Sequence, residues 1–314
     1  MRRYRTVFMS SSDFGMPAFE TLLAQPWCEM VALITQPDKP AGRGQKLTAL
    51  PIKELALAHG VPVIQPPDLR APDAIQQVRE VSPELIIVAA YGQWIPAEVY
   101  DMPPHRSLNI HPSLLPLHRG AAPAMSALLS GDEETGVTIL FVVEEMDAGD
   151  ILAQTRAPIL PEDTTASLMH RLAELSAGFI ADVSLRWLRG EIQPIPQDHS
   201  QATWFGRIKK EQGRIDWTQP AEQIWRQIRA YNPWPSAFTF YNGKRLLIHG
   251  AVPLRTEVST SGAPGQVILL PEGTAVATGE GAVLLREVQL EGKKSAPIAE
   301  FLAGQRDLIG TRLG

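Results

Sequence analysis

The first half of the chain alternates β-prone segments with segments of helical periodicity, and this alternation limits the possible folds more than any other feature. The segment PIKELALAH, for example, has a proline in its first turn and is followed by Gly60, which ends the helical pattern. A strand–helix–strand series predicts an α/β fold with a doubly wound, Rossmann-like parallel sheet. The predicted strands are residues 5–10, 30–35, 61–64 and 84–90, and the predicted helices are residues 17–24, 51–59 and 72–81.

The next β-prone segment, residues 107–123 (SLNIHPSLLPLHRGAAP), carries the first candidate chemistry. Alternation along a strand places Asn109 and His111 on one face, and Pro112, which cannot donate a ladder hydrogen bond, predicts the strand's end. In an open α/β sheet, ligands bind at this carboxyl edge. An amide beside an imidazole can stabilise a developing oxyanion and move a proton. The same spacing also fits a turn-capping asparagine and a buried core histidine.

Two further segments are predicted to reach the same edge of the sheet. Residues 89–92, AAYG, close the strand before SLNIH, so Tyr91 and Gly92 are expected to border the site. Asp147 lies in a predicted tight turn between two strands, and a carboxylate beside an imidazole favours the charged ring and orients it. Alternatively, Asp147 or Asp150 only forms the turn with its own backbone. The two strands are predicted at residues 136–143 and 151–159.

Several classes of site are disfavoured by the residues present. The single cysteine, Cys28, excludes an internal disulfide and a cysteine-rich zinc site. His105, His111 and His118 match no zinc spacing, so no metal is expected. No phosphate-binding glycine loop follows the first strand, which ends in SSSD, so a dinucleotide is not expected either. The N-terminus is basic but has no long apolar run. We therefore expect that the chain has neither a signal peptide nor a membrane span. We also expect the protein to be cytoplasmic.

A second domain is predicted after a helix at residues 164–190, since 314 residues are enough for about two domains. Beyond a polar stretch with two prolines, short strands separated by glycine turns predict a small β-barrel. These strands are residues 236–241, 244–249, 265–269 and 282–288. The expected division is a catalytic domain at residues 1–190, a linker at 191–208 and the barrel at 209–314.

Charge is distributed unevenly along the chain. Residues 1–204 carry 15 Lys/Arg and 24 Asp/Glu, a net charge of −9, whereas residues 205–314 carry 14 and 10, a net charge of +4. A basic C-terminal part could contact phosphates. The candidate contacts, each of which also fits an ordinary solvated charge, are Lys209, Lys210, Arg214, Lys244 and Arg245.

A basic loop at residues 36–50, QPDKPAGRGQKLTAL, is long for a connection between a strand and a helix. It carries Lys39, Arg43 and Lys46 among prolines and glycines. Beside an active edge, such a loop could clamp a polyanionic substrate. The alternative is a solvated surface loop.

Motifs along nearly the whole chain resemble, in order, those of the methionyl-tRNA formyltransferase family. They are QPDKPAGRGQK, AAYG, NIHPSLLPLHRGAAP, GDEETGVTI, MDAGDIL, RIDW and RAYNPWP. The resemblance implies that Asn109, His111 and Asp147 are catalytic. It also implies a formyltransferase domain followed by an OB-like β-barrel that helps to hold tRNA. The chain departs from the family's usual pattern at the Ser10-Ser11-Ser12 turn, at Leu117 and at Pro112.

The resemblance also implies where the two substrates bind. The folate-contacting segment falls on Ser113, Leu114, Leu115 and Pro116, with Tyr91 and Gly92 expected beside it. The loop that enters the tRNA falls on residues 37–46, PDKPAGRGQK, with Arg43 at the acceptor end. The expected tRNA contacts are Arg43, Lys39 and Lys46 in this loop and Lys209 and Lys210 in the C-terminal part.

The implied reaction is transfer of the formyl group of 10-formyltetrahydrofolate to the α-amine of methionyl initiator tRNA, giving N-formylmethionyl-tRNA for translation initiation. It needs no metal and no covalent intermediate. The alternatives are a formyltransferase acting on a sugar-nucleotide amine and a formyltetrahydrofolate hydrolase. The long basic loop argues against the sugar-nucleotide alternative, because a small acceptor gives such a loop nothing to hold. The basic C-terminal barrel argues against the hydrolase, which would not need it. We expect a monomer, because no long apolar repeat or coiled-coil seam is present.

Overall fold

A computed structural model describes residues 2–41, 46–254 and 262–314 of the protein. The described chain divides into two compact units. The first unit comprises residues up to 123, 134–158 and 169–205, and the second comprises residues 124–133, 159–168 and 206–314. Most of the segment that was expected to be a linker, residues 191–205, is therefore part of the first unit.

The elements up to residue 205 alternate strands and helices for most of their length. In chain order they are β1 (Tyr4–Met9), α1 (Met16–Leu23), β2 (Cys28–Ile34), β3 (Lys39–Ala41), β4 (Lys46–Thr48), α2 (Pro51–Ala58), β5 (Val63–Ile64), α3 (Pro72–Glu80), β6 (Leu85–Val88), α4 (Ala97–Tyr100), β7 (Ser107–His111), β8 (Arg119–Gly120), α5 (Pro123–Ser130), β9 (Glu134–Phe141), β10 (Ile151–Pro158), α6 (Thr165–Leu188) and β11 (Trp204–Phe205).

Within the described residues, a seven-stranded sheet of order β10-β9-β7-β6-β1-β2-β5 forms the centre of the first unit. Five neighbouring strands of this sheet, β7, β6, β1, β2 and β5, are parallel. The chain builds the sheet outward from β1 in one direction through β2 and β5 and in the other through β6 and β7, so the strand order reverses between β1 and β6. The predicted doubly wound α/β fold is confirmed. However, β9 and β10 run antiparallel to their neighbours, so the sheet is mixed. The connection between β9 and β10, residues 142–150, is too short for a crossover helix and therefore makes a hairpin.

Strand register brings three strand ends together at the carboxyl edge of this sheet. Met9 of β1 pairs with Val88 of β6, and Val88 pairs with Asn109 of β7. β6 is buried along its whole length, as its apolar run predicts for a central strand. β7 ends at His111, directly before Pro112, as predicted. Side chains at the ends of β1, β6 and β7 are thus neighbours, although they are far apart in sequence.

The second unit is built on an antiparallel sheet, which confirms the short strands predicted for the C-terminal part. After residue 205 the elements are α7 (Ala221–Ala230), β12 (Ala237–Tyr241), β13 (Lys244–Leu254), β14 (Val267–Leu270), β15 (Gly273–Ala277), β16 (Ala282–Leu290), β17 (Ala296–Pro297) and α8 (Ile298–Gly304). Within the described residues the strands follow the order β12-β13-β16-β15-β14, with β17 beside β16, and the path is open rather than closed into the predicted barrel. The core of this unit consists of apolar side chains that include Trp217, Ile224 and Leu246.

The last residues of the chain connect the two end strands of this open sheet. Val267 of β14 donates its backbone N–H to Thr311 across 2.8 Å, and Gly314 donates its own to Phe240 of β12 across 3.2 Å. Hydrogen bonds along residues 311–314 therefore satisfy backbone groups that the sheet edges would otherwise expose.

Every helix in the described part of the chain falls short of the length and apolar character that a membrane span requires. In the same residues, no three His, Cys, Asp or Glu side chains come together as a metal ion would require.

The thiol of Cys28, at the start of β2, provides a test of the packing in the first unit. The residue is 2% exposed, and burial raises the pKa of its thiol to about 11. Because the thiolate is the reactive form, a raised pKa lowers reactivity, leaving a thiolate fraction of about 10⁻³ at pH 8. We expect Ellman's reagent at pH 8 to leave the native protein unlabelled and to label one thiol per chain in guanidinium. Rapid labelling of the native protein would contradict this packing.

Candidate active site

A cavity of about 550 Å³ opens at the carboxyl ends of β1, β6 and β7. It lies beside the reversal of strand order, which is where open α/β sheets bind ligands. Its lining combines apolar walls with a few polar groups, as in small-molecule sites. The apolar side chains include Phe14, Trp94, Ile95, Val142 and Met146, and the polar ones are Gln93, Asn109, His111, Glu144 and Asp147.

The three residues predicted to be catalytic meet at this cavity. Asn109 Nδ2 donates to Asp147 Oδ1 across 3.3 Å, and His111 Nδ1 lies 3.5 Å from the same oxygen. The His111 and Asp147 side chains are 5% and 9% exposed. Asn109 and His111 reach one carboxylate because alternation along β7 places them on the same face.

Both nitrogens of the His111 ring have defined neighbours. Nε2 lies 3.0 Å from the carbonyl oxygen of His118, which can only accept a hydrogen bond, so Nε2 carries a proton and donates it. Nδ1 faces the Asp147 carboxylate. A proton that arrives at Nδ1 therefore meets an oxygen able to accept a hydrogen bond from it.

Asp147 is held in an uncommon backbone conformation by its surroundings. Its φ is 55°, in the left-handed region, which costs a residue with a side chain about 1–3 kcal/mol. The backbone N–H of Gly120 donates to Oδ2 across 2.9 Å, and Gln197 Nε2 donates to the Asp147 carbonyl across 2.8 Å. Ala90 and His118, whose φ angles are 51° and 60°, are also left-handed.

Gly120 lies very close to the backbone of Phe205. It has a φ of 106°, and a Cβ there would be 2.5 Å from the Phe205 carbonyl oxygen. The approach arises because β8 pairs in parallel with β11. Only glycine accommodates both the backbone angle and the contact.

Sequence patterns missed the residues behind Asp147. Gln197 and His199 contact the buried Arg119, and Gln197 also contacts the Asp147 turn. They lie in an extended polar stretch that contains prolines. Such a composition is equally typical of a linker and of a segment that packs against a site, so it does not indicate which one is present. The nearest signal was the RG pair at 119–120, which follows the segment that carries Asn109 and His111.

The residues predicted to contact folate occupy two different places. Tyr91 and Gly92 line the cavity. The segment from Ser113 to Pro116 forms a turn outside the cavity lining: Ser113 Oγ donates to the Leu117 carbonyl, and the Leu115 N–H donates to Thr138 Oγ1. A folate role for Ser113, Leu114, Leu115 and Pro116 stays a prediction.

Tyr91 brings a buried hydroxyl to the cavity region. The residue is 2% exposed, and its hydroxyl has no hydrogen-bond partner among the described residues. Burial raises the pKa of Tyr91, and the nearby Asp68 carboxylate raises it further. The hydroxyl is therefore protonated at neutral pH and able to donate a hydrogen bond.

Two short strands of the basic loop, β3 and β4, pair with each other in antiparallel directions and form a hairpin. Lys39 Nζ donates to Gln36 Oε1 across 2.7 Å, and Gln36 Nε2 donates to the Tyr91 carbonyl across 2.9 Å, so the base of the hairpin is connected to the cavity region. Lys46 is the first residue of β4. Arg43 lies outside the described residues. A tRNA-binding role for Lys39, Arg43 and Lys46 stays a prediction.

Lys209 and Lys210 are exposed residues of the second unit, at the start of a short 3₁₀ helix, Lys210–Gly213. The backbone N–H of Lys209 donates to Gln212 Oε1 across 2.7 Å. Nothing in this geometry reveals a ligand, and their predicted contact with tRNA stays a prediction.

The serine turn after β1 satisfies its own polar groups. Ser10 Oγ donates to the Ser12 carbonyl, and Ser12 Oγ accepts from the Phe14 N–H. Ser11 Oγ accepts from the Gln36 N–H across 2.9 Å. The departure from the usual family pattern thus produces an ordered turn beside the cavity.

Known families match both units of the chain. The sequence profile described as "Formyl transferase" matches residues 5–183, and the one described as "Formyl transferase, C-terminal domain" matches residues 207–306. The methionyl-tRNA formyltransferase of Geobacter sulfurreducens is 41% identical over 316 residues, which cover 100% of this chain and 98% of that protein. The chain belongs to the methionyl-tRNA formyltransferase family. The match supports the resemblance inferred from the sequence motifs.

Solved structures place this member of the methionyl-tRNA formyltransferase family in a wider fold group. HypX from Aquifex aeolicus, in complex with tetrahydrofolic acid, is 24% identical with a TM-score of 0.62; the match covers 96% of this chain and 47% of HypX, so this chain spans about half of that protein. An N-formyltransferase from Helicobacter canadensis, in complex with folinic acid and dTDP-3-aminofucose, is 17% identical with a TM-score of 0.65, and the match covers 90% of this chain and 98% of that one. These likenesses establish the fold alone.

Replacing Gly120 by alanine tests the close packing behind Asp147. We expect Gly120→Ala to lower the free energy of unfolding by about 1–3 kcal/mol more than Gly60→Ala does, because Gly120, unlike Gly60, combines a positive φ with a close backbone contact. Gly60 is a matched control, with a φ of 71° and nothing within 4 Å of an added Cβ. Urea denaturation followed by tryptophan fluorescence measures both values. Equal losses would show that residue 120 has room for a side chain.

Proposed function

We propose that this protein transfers the formyl group of 10-formyltetrahydrofolate to the α-amine of methionyl initiator tRNA. Full-length similarity to a methionyl-tRNA formyltransferase supports this function. The observation that carries it is the convergence of Asn109, His111 and Asp147 on one cavity at the carboxyl edge of the sheet. The product, N-formylmethionyl-tRNA, serves translation initiation.

We assign Asn109 and His111 to the oxygen that gains negative charge during transfer. When the neutral amine attacks the formyl carbon, charge develops on the formyl oxygen, and donors aimed at it lower the barrier. The Asn109 amide has a second N–H beside the one that it donates to Asp147, and Nδ1 of a protonated His111 ring lies 3.5 Å from Asp147, long for a hydrogen bond, so both groups can donate to this oxygen from the cavity lining. Each donor of this kind contributes about 2.7–4 kcal/mol in enzymes that use an oxyanion hole.

We assign Asp147 to orientation and proton transfer. Its carboxylate faces His111 Nδ1 and accepts hydrogen bonds at both oxygens, from Asn109 at Oδ1 and from the Gly120 N–H at Oδ2. A carboxylate fixed in this way needs little reorganisation to receive the proton of the attacking amine, directly or through water, and pass it toward the departing folate nitrogen.

The cavity suits the folate donor, which supplies the electrophilic formyl carbon when bound. A volume of about 550 Å³ lies within the usual range for small-molecule sites. Apolar walls such as Trp94 and Ile95 fit a flat ring system, and Gln93 and Glu144 can meet ring nitrogens. We propose Tyr91 and Gly92 as contacts at this cavity and the segment from Ser113 to Pro116 as a further folate contact.

We assign tRNA binding to basic side chains in both units. Lys39, Arg43 and Lys46 belong to the basic loop, and Lys39 is bonded to the cavity region through Gln36. The other contacts proposed here are Lys209 and Lys210. We further propose that the protein works as a monomer in the cytoplasm, where translation begins; light scattering of the purified protein measures its mass.

Formylation assays with matched variants test the function and the two donors. We expect purified protein to formylate methionyl initiator tRNA with 10-formyltetrahydrofolate. We expect Asn109→Ala and His111→Ala each to lower kcat by about 10²–10³, since each removes one oxyanion donor. Circular dichroism checks that both variants are folded.

Controls in the same assay separate the alternatives. Methionyl elongator tRNA tests specificity, a sugar-nucleotide amine tests the alternative transferase, and formate release without acceptor tests the hydrolase. A preference for either alternative substrate would contradict the proposal, and near-normal turnover in a folded variant would refute the role of that residue.

Arg43→Ala tests the role of the basic loop at residues 36–50. We expect the KM for methionyl initiator tRNA to rise about tenfold, a loss of about 1.4 kcal/mol, because a contact to the acceptor end is removed. Folate affinity, measured by calorimetry, should be unchanged. An equal loss of folate affinity would place Arg43 at the cavity instead.

A further inference from the structure

Residues 191–205 pack along the catalytic loops of the first unit. Ile195 and Ile151 exchange two backbone hydrogen bonds of 2.8 Å each. Further along, the Thr203 carbonyl accepts the Arg119 N–H across 2.9 Å, and β11 pairs with β8. This segment is thus fixed at both ends to the loops that carry the candidate active site.

Gln197 lies between these two contacts and forms hydrogen bonds with the turn that carries Asp147. Its Nε2 donates to the Asp147 carbonyl across 2.8 Å and to the Gly149 carbonyl across 2.7 Å. Both carbonyls only accept, so the amide nitrogen must face them. The residue is 6% exposed and does not line the cavity. Its two hydrogen bonds bracket the turn in which Asp147 has a left-handed backbone.

Arg119 holds the other end of the same amide. It is 1% exposed, and its Nη2 donates to Gln197 Oε1 across 2.7 Å and to His199 Nδ1 across 3.0 Å. Its Nη1 lies 3.3 Å from Glu145 Oε1. A buried cation is stable only with such partners, so Arg119 fixes which way the Gln197 amide points.

We infer that Gln197, oriented by Arg119, is a positioning residue for Asp147. The inference rests on the proposed formyl transfer for the reaction it affects. Without the two donated hydrogen bonds, the left-handed turn relaxes and the carboxylate shifts relative to His111. A displacement of about 1 Å can cost about 10² in rate even when the altered residue is distant from the chemistry.

Gln197→Met tests this role, because methionine has a similar length and volume but donates no hydrogen bond. We expect kcat for formyl transfer to fall by about 10- to 100-fold, while the KM values for both substrates change less than about twofold. The matched control is Gln201→Met in the same segment, since Gln201 is exposed and bonds only to Asp198 among the described residues. Its kcat should equal that of the unaltered protein. Equal kcat values for the two variants would overturn the inference.

Two further variants separate positioning from a general loss of packing. In an Asp147→Asn background, Gln197→Met should change kcat less than about twofold, because residues that act through one group are not additive. Gln197→Glu can still accept from Arg119 but cannot donate to the two carbonyls, so it should be as slow as Gln197→Met. Full activity in Gln197→Glu, or additive losses in the double variant, would contradict the inference.

A measurement without substrates separates this inference from the proposed function. In ¹⁵N-histidine NMR spectra, with His111 assigned through His111→Asn, Gln197→Met should shift the ring nitrogens of His111 and Gln201→Met should not. An unshifted His111 signal would overturn the positioning role whichever reaction the protein catalyses. Absence of formyl transfer by the unaltered protein, with the signal shifted, would refute the proposed function alone.

Discussion

The Asp147 carboxylate is the interaction on which the candidate site depends. One oxygen faces the side chains of Asn109 and His111, and the other accepts a backbone N–H from Gly120. These groups come from three separate stretches of chain, so the site exists only when the sheet, the β9–β10 turn and β8 are all in place. The fold therefore positions the site through the ends of strands, as expected for a doubly wound sheet.

Much of this arrangement could be predicted from local sequence. Pro112 marks the end of β7, and strand alternation alone predicts that Asn109 and His111 share a face. The apolar run of β6 predicts a buried central strand, which the structure confirms. The predicted turn after residues 136–143 already brought Asp147 to the same edge, but the residues alone left open whether it only forms the turn, and the family resemblance selected it as the partner of His111.

The remaining features depend on contacts between distant segments. The sheet is mixed because β9 runs antiparallel to β7, and this direction depends on the path of residues 112–133, for which no local pattern is a signal. Gln197 lies 50 residues from Asp147 in a polar stretch. It contacts the Asp147 turn through hydrogen bonds to two backbone carbonyls, and such bonds leave no signature in the sequence. Gly120 is required by a contact with Phe205 that only the paired backbones reveal.

The left-handed residues around the cavity have a consequence for how such a protein can change. Ala90, His118 and Asp147 all hold backbone angles that glycine adopts more easily. Selection for heat resistance alone would reward glycine at these positions, but glycine at 90 or 118 would loosen the turns around the cavity, and glycine at 147 would remove the carboxylate itself. Thermal robustness and turnover thus compete within a few neighbouring residues, and laboratory evolution of either trait should be scored on both.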